Sequence, residues 1–177
     1  MLRAMAATTT AVPTGVRGRL ISFPDPVNEV SARLVATGVV LMAVATVAFD
    51  QPWILVALTY GFLARVLTGP KLSPLGQLVT RVVVPRLPLA VRPYPGPPKR
   101  FAQGMGLAFS ATSGLLVLFG YRGAGYGVLG LLIVAASLEA FAGYCLGCRT
   151  FALLMRIGVV PEDVCERCND IWARSAA

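Results

Sequence analysis

Four apolar stretches divide this chain, and short polar breaks join them in pairs. They run roughly over residues 30–49, 52–67, 104–121 and 126–147. Each comes close to the about 20 residues that carry a helix across a bilayer. The pattern therefore predicts an all-α protein: a four-helix transmembrane bundle with short interfacial helices and a C-terminal helix on the cytoplasmic side. Asp25-Pro26 reads as the start of the first helix, with Asp25 as N-cap and proline at the first helical position. Asp50-Gln51-Pro52 breaks the first span and caps the second. Arg122-Gly123-Ala124-Gly125 is a tight turn between the third and fourth. Connections this short make each pair an antiparallel hairpin.

Thr68 to Gln103 is the one long polar connection. Ser73-Pro74 opens a short helix in which Leu75, Leu78, Val79 and Val82 recur at helical spacing, with Gln77 and Arg81 off that face. It is too short to span, so it is expected to lie along the membrane surface. Six prolines between Pro85 and Pro98 predict an extended, polyproline-like segment. In the third span Gly106, Ser110 and Gly114 recur every four residues, a spacing that lets helix backbones approach closely in a membrane. Residues 1–22 are small, polar and basic. They read as a disordered cytoplasmic tail and not as a cleaved signal, because no apolar run of signal length follows Arg3.

Composition agrees with a membrane domain: 56% of the 177 residues are hydrophobic, 14% are charged, and the mean hydropathy is +0.71. The net charge of +8 raises nucleic acid as a partner, but the basic residues flank the apolar spans and form no continuous stripe. Anionic lipid is the simpler partner, and no nucleic acid is expected. The distribution also sets orientation. Of the 16 basic residues, only Arg122 falls in the two short turns. The side carrying the rest is expected to be cytoplasmic. This makes a multi-pass protein of the inner (cytoplasmic) membrane, with both termini and all four cysteines in the cytoplasm. Thiols there are normally kept reduced, which favours metal binding or redox work over structural disulfides.

Candidate chemistry concentrates between Glu139 and Cys168. The chain has no histidine, so the commonest general base and metal ligand is missing. Glu139 is the single acid inside an apolar span. Arg65, at the cytoplasmic end of the second span, is its expected partner in an intramembrane ion pair. The alternative makes Glu139 a proton acceptor for a thiol, or part of a transport path. Cys145 is six residues on, on another face of the same helix, so contact would need a bend at Gly143. Cys145-Leu146-Gly147-Cys148 is expected at the C-terminal end of the fourth span, with Arg149 beside it favouring the thiolate. A second surface helix follows from Arg149 to Ile157, ended by Gly158. Pro161-Glu162-Asp163 then opens a last helix carrying Cys165 and Cys168.

The full spacing, C-x2-C-x16-C-x2-C, fits a single zinc held by Cys145, Cys148, Cys165 and Cys168. An iron–sulfur centre uses the same ligand set. The same four cysteines fit a thiol relay in which each pair cycles between dithiol and disulfide, or one thiol carries a persulfide. Helix position makes Cys165 the better nucleophile, because a helix C-terminus disfavours a thiolate at Cys145 and Cys148.

The motifs F-P-D-P-V-N-E-V (23–30), G-P-K-L-S-P-L-G (69–76), P-K-R-F-A-Q-G-M-G (98–106) and G-Y-C-L-G-C (143–148) resemble the bacterial domain-of-unknown-function 4395 family. The resemblance covers nearly everything from Phe23 to Cys148. It implies a small polytopic membrane protein without an assigned activity, sometimes encoded beside thioredoxin-like and rhodanese-like proteins. Cys145 and Cys148 match a family feature; Cys165 and Cys168 lie beyond the part that matches. The expected function is thus thiol-redox or sulfur relay to a thioredoxin-like or rhodanese-like partner. The alternative is a non-enzymatic scaffold or subunit of a larger membrane complex with one structural zinc.

Overall fold

The computed structural model describes residues 25–87, 92–161 and 164. The expected tail over residues 1–22 and the expected helix carrying Cys165 and Cys168 lie outside the described residues.

Four helical stretches are long and apolar enough to cross a membrane: α1 (Glu29–Ala48), the run Trp53–Arg86 that opens with α2 (Trp53–Thr68), α4 (Gly96–Leu118) and α5 (Arg122–Ala142). Two short helices accompany them, α3 (Pro74–Leu78) and α6 (Leu146–Arg156). Strand, among the described residues, is confined to one antiparallel pair, β1 (Val27–Asn28) with β2 (Pro93–Tyr94). The four long helices close a ring in the order α1–α2–α4–α5, each packed on two neighbours. Val39, Ala43, Leu55, Leu58, Phe62, Leu129, Leu132 and Ala136 fill its centre. Leu41, Val56, Leu63, Leu115, Leu131 and Val134 point outward, as lipid-facing residues do.

Small residues set the closest approaches. A Cβ on Gly106 would come within 2.2 Å of the Phe62 ring, so α4 and α2 touch only because position 106 is glycine. Ser110 is buried on the same face, whereas Gly114 faces open space. The stripe turns instead to Ser113, whose hydroxyl donates to the Gly125 carbonyl at 2.8 Å and ties α4 to α5. At this end of the bundle Asp50 accepts hydrogen bonds from Arg122 and Tyr126, which joins the two short turns.

The helix ends differ from the sequence expectation in ways that matter for the site. α1 begins at Glu29 with Asn28 as N-cap, its side chain accepting from the Val30 N–H. It does not begin at Pro26, because Val27 and Asn28 pair with Tyr94 and Pro93. Asp25 instead accepts from the Gly96 N–H at 3.1 Å and fixes the start of α4. Asp50 does not cap α2, whose N-cap is Pro52 with no side-chain bond. α4 starts at Gly96, well before residue 104. Pro97 and Pro98 fit its first turn, where no N–H is needed. The proline-rich segment is therefore only partly extended. α3 is capped by Ser73 as expected, and its chain continues through one π turn (Val79–Val83) and one 3-10 turn (Val84–Arg86). It presents Leu75 to Gly38 of α1, while Leu78 and Val82 face outward. α5 ends at Ala142, short of residue 147, because Gly143 adopts the left-handed conformation (φ 67°) that closes a helix.

Candidate functional site

The site forms where α5 stops. Arg33 of α1 donates from Nε to the Ala140 carbonyl (3.2 Å) and from Nη2 to the Phe141 carbonyl (3.0 Å), satisfying the last carbonyls of α5. After Gly143 the chain turns, Tyr144 and Cys145 run extended, and α6 begins at Leu146. Cys145 is the N-cap of α6, and its Sγ accepts the Cys148 N–H at 3.3 Å. The C-L-G-C segment thus opens a new helix; it does not finish the fourth span. Gly147 lies against α4, where an added Cβ would come within 2.6 Å of the Ala102 Cα. That contact, together with Phe151 on Phe101, seats α6 on α4.

Both cysteines are unbridged and buried, Cys145 with 8% of its surface exposed and Cys148 with 4%. The Cys148 thiol is placed to donate to the Cys145 sulfur. This hydrogen bond holds Cys145 below the ordinary thiol value, helped by the Lys99 charge and the Cys148 N–H and opposed by burial and Glu139. The same bond pushes Cys148 far up, as does burial. One proton leaves the pair readily and the second with difficulty. The helix N-terminus acts in the same direction on Cys145. The expected ranking that favoured Cys165 rested on a helix C-terminus at Cys145–Cys148. The structure replaces it with an N-terminus. Cys165 and Cys168 lie outside the described residues.

The ion pair also has a different cation. Lys99 Nζ meets Glu139 Oε1 at 2.6 Å, with the two side chains 5% and 15% exposed. Arg65, the expected partner, donates from Nε to Gln103 Oε1 at 2.9 Å and stacks its guanidinium over Phe62. The reason is the early start of α4, which brings Lys99 into the bundle at the level of Glu139. Lys99 is also the cation acting on the thiols. Arg149 sits over the Tyr144 ring instead. The bend at Gly143 that a Glu139–Cys145 approach required is present. Glu139 and Cys145 line one cavity of about 300 Å³, walled mainly by apolar residues of α1, α4 and α5.

Tyr94 completes the site from the β2 strand. Its ring lies 5.1 Å from Lys99 Nζ, and its hydroxyl is on the side of Cys148. Burial raises its hydroxyl well above the ordinary phenol. Sequence reasoning missed Lys99, Tyr94 and Gln103. The signal for Lys99 was Pro97-Pro98, which suits a first helical turn as well as an extended segment. Nothing in the sequence marked Tyr94, which depends on the pairing of β1 with β2.

Neither a search of curated proteins nor a search of solved structures found a match. A family model, Domain of unknown function (DUF4395), matches residues 27–156. The matched segment begins at β1, takes in all four long helices and the Cys145–Cys148 turn, and stops at the end of α6 before Cys165. With most of its length and its whole helical ring inside that match, the chain belongs to the DUF4395 family.

Proposed function

We propose that this protein is a membrane thiol-exchange protein in which Cys145 is the nucleophile and Cys148 the resolving thiol. The observation that carries the reading is the cap of α6: Cys145 Sγ accepts the Cys148 N–H at a helix N-terminus, beside Lys99. An anionic sulfur is favoured there, and a second thiol sits within reach to form a disulfide. The residues flanking Cys145, Tyr144 before it and Leu146 at the start of α6, are exposed, which offers a partner a surface to approach.

In this reading the Cys145 thiolate attacks a disulfide of a thioredoxin-like or rhodanese-like partner. A mixed disulfide forms and one partner thiolate leaves, taking up a proton. Cys148 then loses its proton and attacks Cys145. The partner's second thiol leaves, and the Cys145–Cys148 disulfide remains. The reaction runs backward when the partner is the reductant. The exchange takes place at the cytoplasmic face of the inner membrane, with both termini on that side. The basic residues support this orientation, since Arg33, Lys99 and Arg100 gather at the cysteine end and Arg122 lies at the other.

The second reading, a structural zinc on all four cysteines, is favoured by the C-x2-C-x16-C-x2-C spacing alone. One experiment separates the two. Anaerobically purified protein is assayed for metal and titrated against glutathione redox buffers. No stoichiometric metal and a reversible two-electron transition at Cys145–Cys148 are expected. One zinc per chain with thiols shielded until chelation would overturn the exchange reading.

A further inference from the structure

A second cavity, of about 170 Å³, lies between α1, α2, α4 and the turn that precedes α3. Two buried cations line it. Arg65 is 5% exposed and Lys99 4%. The counter-charge is incomplete. Glu139 pairs with Lys99 and acts on Arg65 only beyond ion-pair distance, so among the described residues one carboxylate serves both cations. Among the described residues the hydrogen bond of Arg65 runs from Nε to Gln103, which leaves the two terminal nitrogens of the guanidinium for the cavity that Arg65 lines. Among the described residues no acid lines this cavity. Lys99 also stands in the first turn of α4, where the helix dipole adds positive potential. A cation buried without a counter-charge in a membrane protein is costly, and the cost falls when an anion occupies the site.

The remaining polar groups suit an oxyanion. Asn28 uses its side-chain oxygen to cap α1, so its amide N–H groups are the ones it can offer. Ser31 contributes a hydroxyl from the next turn. Arginine's fork of parallel donors matches the oxygens of a phosphate group. We infer that this cavity is an oxyanion site in which Arg65, Lys99, Asn28 and Ser31 hold one phosphate-like group. The group belongs either to an anionic lipid headgroup or to a free inorganic oxyanion. The site does not depend on the thiol chemistry of Cys145 and Cys148.

The test measures thermal unfolding of the full chain in nanodiscs of neutral phosphatidylcholine. Inorganic phosphate is added in one arm, and phosphatidylglycerol is mixed into the bilayer in the other. Stabilisation in the phosphate arm identifies a free oxyanion, and stabilisation in the phosphatidylglycerol arm alone identifies a headgroup. In either case Arg65→Gln is expected to weaken the apparent affinity roughly tenfold or more. Because that variant can fail to fold, Ser31→Asp supplies an independent check. It builds a resident carboxylate into the cavity, so it should raise the unfolding temperature without added anion and abolish the response to anion. No stabilisation of the unmodified protein in either arm would overturn the inference. So would Ser31→Asp protein that still responds in full.

Discussion

At the scale of single residues, the site is two pairs set against each other: a thiol pair and an ion pair. Cys145 is held low by the Cys148 thiol, and Lys99 assists. A thiol reacts as its thiolate, so the alkylation rate of Cys145 rises with pH through its own pKa. The half-maximal rate is expected below pH 9.0, the ordinary thiol value, and Cys148→Ala or Lys99→Met should move it upward. At pH 7 either substitution is expected to slow alkylation by roughly a factor of ten, read by mass spectrometry of the labelled peptide. A midpoint that stays fixed in both variants would remove the role given to these neighbours. The ion pair makes a separate prediction. Glu139→Gln leaves Lys99 buried without its carboxylate, which costs about 3–5 kcal/mol, whereas Lys99→Met with Glu139→Gln removes both charges and recovers much of the loss. Unfolding curves of the single and double variants in detergent measure this directly. A loss in the double variant equal to the sum of the two single losses would mean that the pair does not couple.

At the scale of elements, the position of the cysteines follows from where helices stop and start. Gly143 closes α5, and Gly147 lets α6 lie on α4. Gly147→Ala is expected to cost about 1–3 kcal/mol through overpacking against Ala102, while Gly114→Ala, which meets nothing, should be neutral or slightly stabilising. Comparable losses at the two positions, measured by thermal unfolding, would contradict the packing described for α6. This is also the scale at which the sequence was least legible. The four apolar runs located the long helices because hydrophobic length is the strongest signal a membrane chain carries. The same signal misplaced their ends. Tyr144, Cys145 and Leu146 continue the apolar run of α5, and nothing but Gly143 marks the break. Pro97 and Pro98 read equally as extended chain or as a first helical turn. Choosing the former left Lys99 in a loop and hid its ion pair with Glu139. The electrostatics expected at Cys145 and Cys148 were reversed, because a helix N-terminus was taken for a C-terminus.

At the scale of the whole molecule, the ring α1–α2–α4–α5 holds opposite chemistry at its two ends. One end is tied by Asp50 to Arg122 and Tyr126. The other gathers Arg33, Arg65, Lys99 and Arg100 around the two cavities and the thiols. In spheroplasts, a membrane-impermeant maleimide should label cysteines introduced at Gln51 or Gly123 and leave Cys145 untouched until the membrane is opened. The reverse pattern would invert the orientation. The central claim, that Cys145 attacks and Cys148 resolves, is tested most directly by trapping. Protein in a Cys165→Ser, Cys168→Ser background is treated with glutathione disulfide, and the adducts are mapped by mass spectrometry. With Cys148→Ser a stable glutathione adduct should accumulate on Cys145, and with Cys145→Ser little should form on Cys148. An adduct on Cys148 as abundant as that on Cys145, or none on Cys145, would contradict the assignment.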